Sequence, residues 1–243
     1  MYIDTAHSIT AHSATGLGGT ALGVTGFSGT AYPEAAGPPQ KAGPDYGVGV
    51  YRGITEWAAG TPEWLQKLGE AVTEGGILVF VALFVLQWWR ARRRDDRTLA
   101  LALLGPVAVA VVYALSEIIK VWLHEERPCR DIPGVTAIAE CPEPGDWSFP
   151  SNHSVIAAAS AMALVVSWRV IGLLAVPLAA LIALSRVYVG VHYLHDVAAG
   201  FLLGAVFAPL LMAVLAVPGT RAVSRFRRAR GPRPAGHGDR GVS

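Results

Sequence analysis

An all-helical membrane bundle, of about five transmembrane helices with an amphipathic N-terminal lead-in, is the fold class this sequence predicts. Three observations predict it. Of 243 residues, 52% are apolar and only 16% charged, against roughly a quarter charged in soluble domains, and the mean hydropathy is +0.41 even with polar tails included. The apolar residues collect in segments close to the roughly 20 residues a spanning helix needs. The arginines are sorted to one side of those segments. This composition excludes a disordered chain, a disulfide-dense scaffold and a basic nucleic-acid-binding domain, so no nucleic-acid partner is expected.

Residues 1–45 are rich in Gly, Ala, Thr, Ser and His, with Pro33 and the Pro38–Pro39 pair. Such a stretch buries too little apolar surface to fold and is expected as a disordered tail. No basic residue precedes Lys41 and no apolar core follows Met1, so a cleavable secretory signal is not expected. Residues 46–218 form the expected membrane domain. At 51–73, Trp57, Trp64, Leu65 and Leu68 recur among charged residues, which suits short helices lying on a membrane surface. Thr61 and Pro62 read as the cap and first position of one of them.

Five apolar segments follow, at 74–90, 98–122, 152–169, 170–191 and 195–218. Trp88 and Trp89 close the first as interfacial aromatics, and Pro106, Pro177 and Pro209 fall inside later ones, as membrane helices tolerate. The loop 90–97 holds five arginines, Arg169 lies between the third and fourth segments, and seven more fall in 219–243, a basic tail. By the positive-inside rule that side is cytoplasmic. The N-terminus, the loop 123–151 and the turn near 190–195 then face outward. The oligomeric state has no signature in the sequence.

Ionisable groups inside spans are expensive unless they act, and here they cluster at one depth. Lys120 and Arg127 end the second span, Ser151 and His153 begin the third, Ser185 and Arg186 end the fourth, and His192 and Asp196 flank the start of the fifth. Snorkelling accounts for long cations but not for His, Ser or Asp. Lys120, Arg127 and Arg186 supply charge and forked donors that match phosphate oxygens. The seven-residue spacing of Lys120 and Arg127 gives them one helix face if the helix continues. Ser151 and the amides after it add donors at a helix start, where the dipole favours an anion. His192 and Asp196, four apart, suit a carboxylate-oriented imidazole, and His153 is a second imidazole for proton transfer.

The segments KVWLHEERP (120–128), FPSNHS (149–154) and SRVYVGVHYLHD (185–196) resemble, in order and internal spacing, the three signature blocks of the type 2 phosphatidic acid phosphatase superfamily. The resemblance covers residues 50–217. Asn152 stands where that superfamily usually has Gly, which is similar to the bacitracin-resistance type of undecaprenyl pyrophosphate phosphatase with its SFPSDH motif. The resemblance implies a lipid phosphatase with His192 as nucleophile, Asp196 orienting it, and His153 as acid and then base. Lys120, Arg127, Ser151, Asn152 (through its amide) and Arg186 would hold the phosphoryl oxygens. No metal or other cofactor is implied. The implied substrate is undecaprenyl or another polyprenyl pyrophosphate at the outer face of the plasma membrane, with phosphatidate or phosphatidylglycerol phosphate as the alternative.

Other readings of the same residues are weaker. A zinc site from His192, His195, Asp196 and His153 would sit among three cations that repel it. A serine hydrolase on Ser151 lacks the G-x-S-x-G elbow. A non-catalytic lipid-binding or transport protein would place its charges nearer mid-membrane. Cys129 and Cys141, both in the outward loop, are expected to form a disulfide. His124 and His195 read as interfacial or supporting residues, and Glu117 as a partner for Lys120.

Overall fold

The computed structural model describes residues 45–230, and the expectations for the N-terminal tail and the last 13 residues lie outside them. The described chain forms seven helices and no strand: α1 (Asp45–Ala59), α2 (Glu63–Ala91), α3 (Asp96–Leu123), α4 (Pro128–Asp131), α5 (Asn152–Ser167), α6 (Arg169–Tyr188) and α7 (Leu194–Arg230). Four of them, α2, α3, α6 and α7, are long and apolar enough to cross a membrane, whereas α5 is a shorter apolar helix. At 1.5 Å per residue, the 16 residues of α5 reach about 24 Å.

The short helix is central. Its alanines 157, 158, 159, 161 and 163 are all essentially buried, and small side chains let neighbouring helices come close without leaving voids. One face packs with Leu101, Ala108 and Val112 of α3 and Ala208 and Met212 of α7. The other packs with Phe80 of α2 and Ala175, Ala179 and Ile182 of α6. The surrounding helices turn large apolar residues outward, among them Leu78, Trp122, Leu174, Leu202 and Val214. An exterior this apolar fits lipid as the surrounding solvent.

Two element boundaries differ from expectation. Thr61 does not cap α2: its hydroxyl donates to Ala58 O (2.6 Å) and lies 2.7 Å from the Tyr188 hydroxyl, so it closes α1 against α6. Pro62 takes the cap position; α1 covers the first half of the expected surface lead-in, while its second half, 63–73, runs unbroken into the long helix α2. At the other end, α7 continues past Pro218 to Arg230, so the expected domain boundary falls within a helix. The cause is a clamp: Arg227 donates to the carbonyls of Arg92 and Arg94 and to Asp96 Oδ1. Asp95 caps α3 through the amide and hydroxyl of Thr98. The arginine clusters therefore share one end of the bundle, opposite the motif residues.

Gly200 and Gly204 of α7 set how closely that helix meets α5. A Cβ at Gly204 would stand 2.4 Å from Val155 O, and one at Gly200 would stand 2.5 Å from Ser151 O. Replacing Gly204 by Leu is expected to cost about 3 kcal/mol through forced separation of the helices. The reading is a lower thermal midpoint of the purified protein, and an unchanged midpoint would contradict this packing.

Candidate active site

Helix α3 stops three residues after its last cation. His124 takes a left-handed conformation (φ 49°, ψ 40°), and its amide donates to Lys120 O (3.1 Å). Its ring meets Trp147 edge-on at 4.8 Å. Arg127 then enters extended backbone before Pro128, so Lys120 and Arg127 do not share a helix face as their spacing suggested. A carboxylate joins them instead: Asp146 Oδ1 lies 3.1 Å from Lys120 Nζ and 3.0 Å from Arg127 Nη2.

The loop carrying Asp146 is anchored along its length. Cys129 and Cys141 are bonded, with Cα atoms 6.0 Å apart. Arg130 pairs with Glu126 and donates to Pro142 O. The amides of Ile138 and Ala139 donate to Val189 O in the turn between α6 and α7.

Helix α5 starts without a side-chain cap, because the Ser151 hydroxyl bonds nothing. Ser151 is fully buried, and its amide donates to Asp196 O (3.1 Å), tying α5 to α7. A buried hydroxyl without a partner at a helix start is an arrangement whose dipole favours an anion. Asn152 turns its side chain to α3: Oδ1 accepts from Ser116 Oγ (2.7 Å), and Nδ2 donates to Glu117. Glu117 thus pairs with Asn152 rather than Lys120. These contacts engage the Asn152 side chain and turn it toward α3.

Ser185 serves packing, sharing a hydrogen bond with Thr73 of α2 (2.6 Å) and donating to Ile182 O. Arg186 is buried, and its Nε has no partner. Glu74 Oε1 stands 3.7 Å from Arg186 Nη1 and 3.8 Å from His153 Nε2, which brings those two together at the mouth of the site.

The centre is His192, 1% exposed. Its Nε2 lies 3.0 Å from Arg127 Nη1. A guanidinium only donates, so Nε2 carries the lone pair and Nδ1 the proton. Nδ1 faces Asp196 Oδ2 at 3.3 Å, and that oxygen also accepts from Tyr193 N (2.9 Å) and Ser148 Oγ (2.5 Å). Burial, and then the charges of Arg127, Arg186, Lys120 and His153, holds the His192 pKa well below 6.5. The ring is therefore neutral at neutral pH, with a fixed tautomer whose free nitrogen points at a guanidinium.

Behind Asp196, His195 Nε2 lies 2.7 Å from Glu125 Oε1 and 3.1 Å from Asp196 Oδ1. Its ring stacks on Tyr193 and Phe149. Glu125, His195 and Asp196 are the one group among the described residues with ligand atoms close enough for a metal. It excludes His192 and His153, so it is not the zinc set weighed and disfavoured from the sequence.

Ser148 and Asp146 escaped sequence reasoning. Ser148 directly precedes the FPSNHS block and Asp146 stands three residues before its Phe149, but a Ser and an Asp in a polar loop have no periodicity to mark them. Their partners are 48 and 26 residues away.

Helix ends that gather a neutral, oriented imidazole, a second imidazole and three buried cations suit phosphoryl chemistry. Residues 100–217 match the PAP2 superfamily. The chain is 31% identical over 148 residues to an undecaprenyl-diphosphatase from Sulfolobus acidocaldarius, covering 58% of this chain and 70% of the relative. It is 30% identical over 132 residues to the bacitracin transport permease protein BcrC of Bacillus licheniformis, covering 54% and 63%. The fold is similar to the crystal structure of a PAP2-type phosphatidylglycerolphosphate phosphatase from Bacillus subtilis, with a TM-score of 0.52 at 22% identity, covering 70% of this chain and 87% of that one. The chain belongs to the PAP2 superfamily and is a multi-pass membrane phosphatase acting on lipid phosphates.

Ser148→Ala removes a buried hydrogen bond to the Asp196 carboxylate and is expected to lower kcat about tenfold with KM little changed. Steady-state kinetics on the purified variant reads this; a shift in KM alone would place Ser148 outside the machinery. Alkylation of unreduced, denatured protein is expected to leave Cys129 and Cys141 unmodified, and labelling of both would remove the disulfide.

Proposed function

We propose that the protein hydrolyses undecaprenyl or another polyprenyl pyrophosphate to the monophosphate and inorganic phosphate through a phosphohistidine on His192. The observation that carries the chemistry is the His192 tautomer. Its lone pair sits on Nε2 beside Arg127, and its proton sits on Nδ1 facing Asp196. Arg127 Nη1 holds that lone pair. A phosphoryl group that takes the guanidinium's hydrogen bonds frees Nε2 to attack.

The steps balance without an external redox partner. His192 Nε2 attacks the terminal phosphorus, the P–O bond to the inner phosphate breaks, and that oxygen leaves with the lipid, with His153 supplying a proton. The Nδ1 proton stays between the ring and Asp196, which stabilises the positive phosphoimidazole. Lys120, Arg127, Arg186, Ser151 Oγ and the Asn152 amide meet the developing charge on the equatorial oxygens. His153, now a base, takes a proton from water, which attacks phosphorus and displaces His192, releasing orthophosphate. Ser151 Oγ and Arg186 Nε, buried and without partners, fit this role.

The pyrophosphate assignment is supported by the names of the relatives from Sulfolobus acidocaldarius and Bacillus licheniformis. The arginine distribution supports an active site open to the extracytoplasmic side of the plasma membrane and a cytoplasmic C-terminus.

Purified protein in EDTA is expected to release phosphate from polyprenyl pyrophosphate, and His192→Ala to lose about a thousandfold or more of that rate. Hydrolysis of phosphatidate with the polyprenyl pyrophosphate untouched would overturn the substrate. Loss of turnover in EDTA would overturn the metal-free chemistry. An inner phosphate is a good leaving group and needs its acid less than water needs its base. His153→Asn is therefore expected to accumulate acid-labile, radiolabelled phosphoenzyme, and its absence in rapid-quench experiments would count against the covalent route.

A further inference from the structure

The side chains of Lys120, Arg127 and Arg186 are at most 8% exposed, yet one acid touches two of them, and it comes from the outward loop. Asp146 Oδ1 makes both contacts with half of its side chain open to solvent. Its backbone is fixed separately: its carbonyl accepts from Arg127 Nε (2.8 Å), its amide donates to Glu143 O, and Trp147 next to it packs on His124. Rotation of the side chain alone therefore withdraws the carboxylate while the loop stays in place. Partial burial opposes ionisation of Asp146, but Arg127 and Lys120 outweigh it and hold the carboxyl below its usual range. It is a permanent anion at neutral pH.

That anion occupies the donors assigned above to phosphate. We propose that Asp146 is a specificity gate, a built-in competitor that yields the Lys120–Arg127 pair to a terminal phosphoryl group but not to the phosphodiesters of surrounding lipid. The proposal rests on the reading of Lys120 and Arg127 as phosphate ligands. A terminal phosphoryl group brings close to two charges and three acceptor oxygens. It replaces one carboxylate charge and reaches Arg186 and Ser151 as well. A diester brings one charge and two free oxygens, so exchanging it for Asp146 gains no net attraction. The discrimination matters because an enzyme whose site opens at a membrane surface meets diester head groups at far higher concentration than its substrate.

Asp146→Asn keeps the shape and removes the charge. The test is inhibition of the full-length protein by phosphatidylglycerol, a monoanionic diester, titrated into zwitterionic phosphatidylcholine vesicles. Asp146→Asn is expected to be half-inhibited at about tenfold lower phosphatidylglycerol than wild type, the loss of one charge-assisted contact. Asp146→Glu restores the charge and is expected to return the curve toward wild type. Coincident curves for wild type and Asp146→Asn, or weaker inhibition of the variant, would overturn the gate. Inhibition by orthophosphate separates the two levels of inference: it is expected to weaken in Lys120→Ala and Arg127→Ala. If it weakens there while the phosphatidylglycerol curves coincide, the gate alone fails. If those variants bind orthophosphate as wild type does, the cradle reading fails and the gate with it.

Discussion

Three buried cations within reach of one imidazole are the constraint around which the rest of this molecule is arranged. Like charges held together away from water repel strongly, and each is costly to desolvate. The protein neutralises them locally and leaves part of the debt unmet. Asp146 covers Lys120 and Arg127. Glu74 stands at the edge of Arg186, and the Val191 carbonyl takes one hydrogen bond from Arg127. What remains, with an unpartnered Ser151 hydroxyl and Arg186 Nε, calls for an anion. The same field lowers the His192 pKa, so the charges proposed to bind a phosphate also keep the proposed nucleophile unprotonated.

Rigidity and movement are divided between two parts of the fold. The imidazole, its carboxylate and the start of α5 sit where α7 and α5 meet at glycine-width separation, linked by Ser151 N to Asp196 O. The loop residues around them are fixed through backbone atoms and the Cys129–Cys141 bond, while the Asp146 carboxylate is half exposed. A site built this way holds its reacting atoms in place and confines adjustment to single side chains.

Much of this was legible in the sequence. Membrane helices advertise themselves by length and hydropathy, and ionisable residues at their ends stand out because the bilayer penalises them. The order and spacing of Lys120, Ser151, His153, Arg186, His192 and Asp196 therefore pointed to one layer before any coordinates. Contacts made by irregular backbone were not legible. The reversal at His124 rests on a left-handed residue that is not glycine, so nothing in the pattern marked α3 as ending there rather than carrying on to Arg127. Glu117 and Lys120, one turn apart, invited a pairing that the approach of Asn152 pre-empts. The Thr61–Pro62 step read as a helix start with Thr61 as cap, and only the Tyr188 hydroxyl facing it gives the Thr side chain a different task.

The length of α5 has a consequence for where the reaction happens. A helix of about 24 Å falls short of a hydrocarbon layer about 30 Å thick. If its inner end, at Ser167 and Trp168, lies near the arginine-rich face, its first turn stops below the outer head groups. On the proposed two-step route, water would have to follow the phosphate down to that turn, because the second step consumes it. On the proposed reading, the lipid substrate would give up its phosphate beneath the head-group surface while its tail remains in oil.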